Sequence, residues 1–190
     1  MDKTREQWLE AASKMISNDI FSKFNAAMPV YNISCGWPCK GGTAKKNRVI
    51  GQCFHPKCSE DKVTEIFISP YISDSCECLA VLVHEMVHAC VGVENGHKKP
   101  FKHLAVSVGL EGKMTATYAG EGLVKELKTI IKSIGKYPHA KLDLSSIKKQ
   151  STRLIKVMCS DCGCICRMSA KAINECGLPT CNYGNEMMES

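Results

Sequence analysis

The sequence lacks any uninterrupted apolar run near the ~20 residues that a membrane-spanning helix needs. Its first residues, Met1 to Glu6, have no apolar stretch of the kind that defines a secretory signal. Internal repeats and low-complexity tracts are also absent from the sequence. We therefore expect an intracellular protein that does not bind membranes. Its 190 residues allow one main domain and a small second module.

Cysteine, in contrast, is abundant, with 13 residues in the chain. In a reducing compartment so many cysteines are unlikely to form structural disulfides, and an odd number cannot all be paired. Metal ligation and buried thiols are the better interpretations.

Positive charge is concentrated in one segment. The formal net charge of the chain is +6, whereas residues 125–156 alone carry nine basic and two acidic residues, a net +7. Two interpretations remain open for this segment. It can bind a polyanion, of which nucleic acid is the first candidate, or it can be a solvated lysine-rich face.

The pattern of apolar residues predicts a mixed order of helices and strands. Helices are predicted over residues 3–24, from Asp74 or Ser75 to Gly92, and over 100–108 and 120–134. Short strands are predicted over residues 30–34, 49–54 and 63–68. We expect an α+β main domain over residues 1–135, a basic linker over 136–153 and a cysteine-rich module over 154–190.

The sequence His84-Glu85-Met86-Val87-His88 carries the clearest chemical signal. Residues four apart lie on one face of a helix, so both imidazoles can bind a single zinc ion. Glu85 projects near the same face, where a carboxylate can act as a general base toward water. This pattern predicts a zinc site of the catalytic type. The strand over residues 63–68 is a candidate for pairing with an extended substrate.

A catalytic zinc ion usually has three protein ligands, so a third ligand must follow downstream. His97 and His103 are the histidine candidates, and Glu94 is a carboxylate candidate. The metzincin spacing is excluded, because Val91 and Glu94 occupy the positions where that pattern has glycine and histidine. The spacing by itself leaves the three candidates open.

A second metal site is predicted near the C-terminus. Cys159-Ser160-Asp161-Cys162-Gly163 has the C-x-x-C-G pattern that forms the first half of many zinc ribbons. Cys176 and Cys181 lie at a suitable distance for the second half, and Cys164 and Cys166 are alternatives to Cys176. Four thiolates would close the site, and the bound metal would then stabilise a module too small to have a substantial core.

The remaining cysteines leave two interpretations open. Cys35, Cys39, Cys53 and Cys58 have wider spacings, with His55 between the last two, so they are either free thiols or ligands of a further zinc ion. Cys76, Cys78 and Cys90 lie in or beside the predicted zinc-binding helix and are best explained as small buried residues.

Several segments resemble the SprT/Spartan-like metallopeptidase family. They are His84-Glu85-Met86-Val87-His88-Ala89, Gly96 to Lys102, the stretch from Gly109 to Thr117, and Glu65 to Pro70. The resemblance covers roughly residues 50 to 185. The chain departs from it at Lys98, where the family commonly has glycine, and after Cys181, where the family has a further ligand.

The resemblance implies a zincin-like metallopeptidase domain with a small C-terminal zinc ribbon. It further implies that His97 is the third zinc ligand, that Glu85 is catalytic, and that Zn²⁺ is the cofactor at both sites. The expected activity is that of a zinc endopeptidase acting on DNA-associated or DNA-crosslinked proteins, with DNA bound non-specifically through residues 125–171. The alternative is a DNA-binding zinc protein whose zincin domain is inactive or gated. Met114, Tyr118 and His103 are expected near the metal.

Overall fold

The computed structural model describes residues 3–145 and 153–190 and has a mixed α+β architecture. The chain divides into two compact units, Met1–Leu144 and Ser145–Ser190. Part of the predicted basic segment, including Lys148 and Lys149, lies outside the described residues.

The described part of the first unit contains four α-helices. They are α1 (Arg5–Asp19), α2 (Ser75–Val91), α3 (Lys99–Ser107) and α4 (Glu121–Ile134). Thr4 and Gln7 form a capping box at the start of α1, and the Asp74 side chain accepts a hydrogen bond from the Glu77 backbone N–H at the start of α2. Of the two capping candidates that the sequence offered for α2, Asp74 and Ser75, the cap is therefore Asp74.

A three-stranded sheet packs with these helices. Its strands are β1 (Tyr31–Cys35), β2 (Gly51–Phe54) and β3 (Thr64–Ile68), and β3 lies in the centre. β1 pairs with β3 in parallel, and β2 pairs with β3 antiparallel. Alternate residues of β3 are buried, among them Ile66 and Ile68, and they join the core formed by Trp8, Leu82 and Met86.

The central position of β3 corrects one prediction. The strand over residues 63–68 was expected to pair with a substrate, but both of its edges already pair with neighbouring strands. The backbone N–H and C=O groups of β3 therefore already pair with those of β1 and β2. The edge strand on the side of α2 is β2, and within the described residues it pairs only with β3.

A hairpin that the periodicity did not predict follows α3. Its strands are β4 (Leu110–Lys113) and β5 (Ala116–Ala119). The strands are short and mostly exposed, so they lack the apolar alternation by which longer strands are recognised. Gly112, at φ +90°, adopts a backbone conformation that favours glycine.

The segment after α4 packs onto the first unit. The Tyr137 ring is buried and lies 4.9 Å from the Trp8 ring, and its backbone N–H donates to Ser75 Oγ. The backbone N–H of Leu142 donates to the Pro70 carbonyl. The first unit thus extends to Leu144, beyond the boundary at residue 135 that the sequence predicted.

The second unit is a small sheet with one helix. Its elements are β6 (Ile155–Met158), β7 (Ile165–Met168), α5 (Ala170–Cys176) and β8 (Met188–Glu189), and β6 is central. Four residues form its small buried cluster: Val157, Cys159, Cys181 and Met187. Two of the four are cysteines, so little hydrocarbon is buried here.

Within residues 3–145 and 153–190, no helix combines the length and the apolar character required to cross a membrane.

Candidate metal centres

Three imidazoles meet in the first unit. His84 and His88 project from one face of α2, and His97 reaches the same point from the loop before α3. Their Nε2 atoms converge, with His97 Nε2 lying 3.2 Å from that of His84 and 3.2 Å from that of His88. Gly96, at φ +49°, allows the chain to turn just before His97.

The spacing of these nitrogens fits a metal ion. Zinc–nitrogen bonds of ~2.05 Å in tetrahedral geometry place two ligand nitrogens about 3.3 Å apart. The observed separations of 3.2 Å agree with that value. The three histidines therefore form a candidate metal site.

Neighbouring side chains orient the imidazoles. His84 Nδ1 lies 2.8 Å from Thr117 Oγ1 on β5, a hydrogen bond that leaves Nε2 facing the other two histidines. The buried Phe101 ring packs against all three imidazoles, with centroid distances of 4.8 Å to His84, 4.3 Å to His88 and 4.9 Å to His97. Phe101 and Thr117 both lie in segments that carried the family resemblance, but no sequence pattern assigned either residue a role beside the metal site.

Burial keeps the histidines neutral. Burial, together with the nearby imidazoles of His88 and His97, lowers the pKa of His84 to about 3. Burial, together with the His97 imidazole, lowers the pKa of His88 to about 4. Burial also lowers the pKa of His97. Neutral imidazoles offer a lone pair, which is the form that binds a metal.

Glu85 lies beside the metal site and is 6% exposed. Burial raises the pKa of its carboxyl to about 8, and the nearby backbone N–H of Cys53 opposes that change. A carboxyl with a pKa near neutrality can both accept and release a proton at physiological pH. Its position and its pKa thus make Glu85 suited to proton transfer.

An open cleft of about 720 Å³ gives access to the histidines and Glu85. One wall consists of residues 47–53, which include strand β2, and the other consists of the hairpin residues 113 and 115–117. Tyr118 does not line this cleft; it is 58% exposed and follows Thr117 on the strand, so it faces the opposite side of the hairpin.

The other two candidates for the third ligand, Glu94 and His103, lie away from the histidine group. Glu94 is turned toward His55, with 3.7 Å between Glu94 Oε2 and His55 Nε2, and His103 is exposed on α3. Among the described residues, neither joins the histidine group. Of the three candidates that the spacing left open, His97 is the one that the fold brings to His84 and His88.

A second candidate metal site lies in the second unit. The Sγ atoms of Cys159, Cys162 and Cys181 lie within 4.8 Å of one another. Hydrogen bonds from the backbone N–H groups of Tyr183 and Asn185, the first being the stronger effect, lower the pKa of the Cys181 thiol. That change favours the thiolate, which is the form that binds a metal.

Cys176 does not join this group. It ends α5 with an exposed side chain, and in the described part of the chain the group contains three cysteines, not the four that the sequence predicted. Cys164 is also exposed, and Cys166 lies in β7 opposite Val157. Neither of these alternatives is brought to the group either.

The cysteines of the first unit form no comparable group among the described residues. Cys53 is buried, which raises its pKa to about 12, and Cys90 Sγ contacts Met28 Sδ at 3.0 Å. Cys78 is fully buried in the main core. Buried protonated thiols of this kind behave as small apolar residues.

Comparisons of the chain with protein-family models, with curated proteins and with solved structures found no match.

Proposed function

We propose that this protein is a zinc-dependent endopeptidase of the SprT/Spartan-like type, with a zincin-like first unit. The observation that carries the proposal is the buried Glu85 carboxyl beside three converging imidazoles at an open cleft. His84, His88 and His97 would hold the metal. A zinc ion bound there would supply Lewis-acid chemistry, polarising a carbonyl and making water more acidic.

Glu85 would act as the proton-transfer group. Burial raises its pKa to about 8 in the metal-free protein, and a zinc cation beside it would lower that value, so that the carboxylate can take a proton from the attacking water. The same proton can then pass to the leaving amine, because peptide hydrolysis requires that nitrogen to be protonated.

Strand β2 is suited to hold an extended substrate. The Ser69 backbone N–H donates to the Ile50 carbonyl, so the backbone groups of Ile50 and Gln52 face β3. In an antiparallel strand the intervening residues face the other way, which directs the backbone of Gly51 and Cys53 away from β3. The Cys53 N–H lies against the Glu85 carboxyl, and the other groups face the open edge. A peptide chain can pair with that edge across the cleft.

Cleavage by the zinc-loaded full-length protein tests the proposal. An unfolded casein-like protein and a DNA-binding protein are incubated with wild type and with Glu85→Gln, and bound zinc is measured in both. We expect cleavage by wild type only, with equal zinc content. Equal cleavage by the two proteins would contradict the role of Glu85.

A second candidate function is DNA binding without proteolysis. Lys125, Lys128 and Lys132 recur at helical spacing on α4, are exposed, and form a basic stripe on one face of that helix. Such a stripe can contact phosphates without reading the base sequence. In a peptidase, DNA bound to this surface would also make DNA-associated proteins the available substrates.

Two measurements separate these candidates. Binding of duplex DNA at increasing salt, with a Lys125→Gln/Lys128→Gln/Lys132→Gln variant as control, measures the electrostatic contact. Cleavage of a DNA-binding protein with and without DNA then shows whether the two functions are linked. Salt-sensitive binding with no cleavage of any substrate by zinc-loaded wild type would favour the second candidate.

A further inference from the structure

The two turns that bring the three thiols together differ in composition. The first turn contains Cys159 and Cys162 and ends at Gly163, which has φ +71° and donates its backbone N–H to the Cys159 carbonyl at 3.0 Å. The Cys159 N–H donates in turn to the Cys164 carbonyl. Two thiols thus come from a turn that the positive φ of glycine makes possible.

The second turn contributes one thiol and is one residue shorter. It begins at Cys181 and ends at Gly184, which has φ +84° and donates its backbone N–H to the Cys181 carbonyl at 2.9 Å. Three residues after Cys159 comes Cys162, whereas three residues after Cys181 comes Gly184, and the intervening Asn182 and Tyr183 carry no thiol. The second turn therefore has no second thiolate ligand.

Other residues do not supply the missing ligand. Asp161 is the nearest carboxylate in sequence, but its two oxygens are bonded to Ser160 Oγ and Asn185 Nδ2. Within the described residues of the second unit, no further cysteine, histidine, aspartate or glutamate joins the three thiols. The remaining residues of that unit, 146–152, contain none of these residue types.

We propose that the second unit holds zinc with three thiolates and leaves the fourth coordination position to a thiolate from outside the chain. Zinc in a closed structural site has four protein ligands, whereas three protein ligands leave one position exchangeable. A soft ligand is favoured because the three resident ligands are soft. Cys162 is exposed, so one side of the cluster faces solvent.

The proposed reaction is an exchange of one ligand, in which a thiolate replaces a water molecule and atoms and charge balance. An external thiol loses its proton to solvent, and its sulfur takes the position that a water molecule otherwise fills. No bond within the protein forms or breaks, and no oxidant is needed. The partner is therefore a small cellular thiol or an accessible cysteine of another protein, and this proposal does not depend on peptidase activity.

Cobalt(II) spectroscopy of the full-length protein tests the number of thiolates. A His84→Ala/His97→Ala background removes the first site, so the sulfur-to-cobalt charge-transfer band reports the second. We expect Cys176→Ser and the exposed control Cys39→Ser to leave the band unchanged. We expect Cys181→Ser to lower the band by about a third, as one of three thiolates is lost.

Titration with a small thiol provides the second measurement. In the background protein with Cys181 intact, β-mercaptoethanol should raise the charge-transfer band by about a third and saturate at one thiol per chain. A band that falls in Cys176→Ser and does not respond to thiol would overturn the proposal in favour of a closed four-cysteine site. Absence of cobalt binding would overturn it as well. The band of Cys176→Ser and the response to β-mercaptoethanol decide the question even if Cys181→Ser fails to fold.

Discussion

Gly51 lies directly against the carboxylate of Glu85. A Cβ atom at position 51 would lie 2.5 Å from Glu85 Oε1 and 2.6 Å from Val81 Cγ1. The edge strand β2 can therefore lie against α2 only because residue 51 has no side chain. This contact ties the wall of the cleft to the burial of Glu85, and through that burial to the pKa of its carboxyl.

We expect Gly51→Ala to impair the site. The added methyl group must displace the Glu85 carboxyl or move β2 away from α2, and either change misplaces the proton-transfer group. A misplacement of this size typically lowers kcat/KM by on the order of 100-fold. Gly122→Ala on α4 is the matched control, because a Cβ there meets no atom within 4 Å. Equal activity of the two variants would contradict the expected crowding.

His97→Ala should remove the metal from the first site. Two imidazoles on one helix remain, which is one ligand fewer than a catalytic zinc site normally has. Elemental analysis should show one zinc ion fewer per chain than wild type. His103→Ala is the control, since that side chain is exposed on α3 and lies outside the histidine group. Loss of zinc in His103→Ala, with full retention in His97→Ala, would reverse the assignment.

Thr117→Val should weaken metal binding without removing a ligand. The substitution preserves the shape of the side chain but removes the hydroxyl that bonds His84 Nδ1 at 2.8 Å. Loss of such an orienting bond typically lowers metal affinity by about 10- to 100-fold. Competition with a zinc chelator measures the change. Thr115→Val, in the same wall of the cleft, should leave the affinity close to that of wild type.

The pKa of Glu85 predicts a pH-dependent stability of the metal-free protein. The carboxyl has a folded pKa of about 8 against an ordinary value of 4.5, so between these values the folded state binds more protons than the unfolded state. Stability therefore falls as pH rises through that window. Glu85→Gln removes this term, so its advantage over wild type should grow from about pH 4.5 to pH 8, to at most about 4 kcal/mol.

Urea unfolding followed by tryptophan fluorescence measures this difference. Both tryptophans, Trp8 and Trp37, lie in the first unit, so the signal does not depend on the second. The histidines have lowered pKa values and destabilise the folded state as pH falls, but they do so in both proteins and cancel in the comparison. A stability difference that is constant with pH would show that Glu85 is not protonated in the fold.

Local patterns in the sequence were sufficient for the helices of the first unit and for two of the candidate metal ligands. The apolar periodicity predicted α2 and α4, and the four-residue spacing placed His84 and His88 on one face, because helix geometry depends only on near neighbours. The C-x-x-C-G pattern likewise predicted the turn that joins Cys159 and Cys162, since Gly163 and its hydrogen bond are local.

Tertiary structure decided the rest of both sites. His97, His103 and Glu94 were equivalent by spacing, and the turn at Gly96 with the packing of Phe101 brings only His97 to the other two histidines. The central position of β3, the contact of Thr117 with His84 and the exclusion of Cys176 also depend on residues distant in sequence. Sequence alone thus determined which side chains can bind a metal, and long-range packing determined which of them meet.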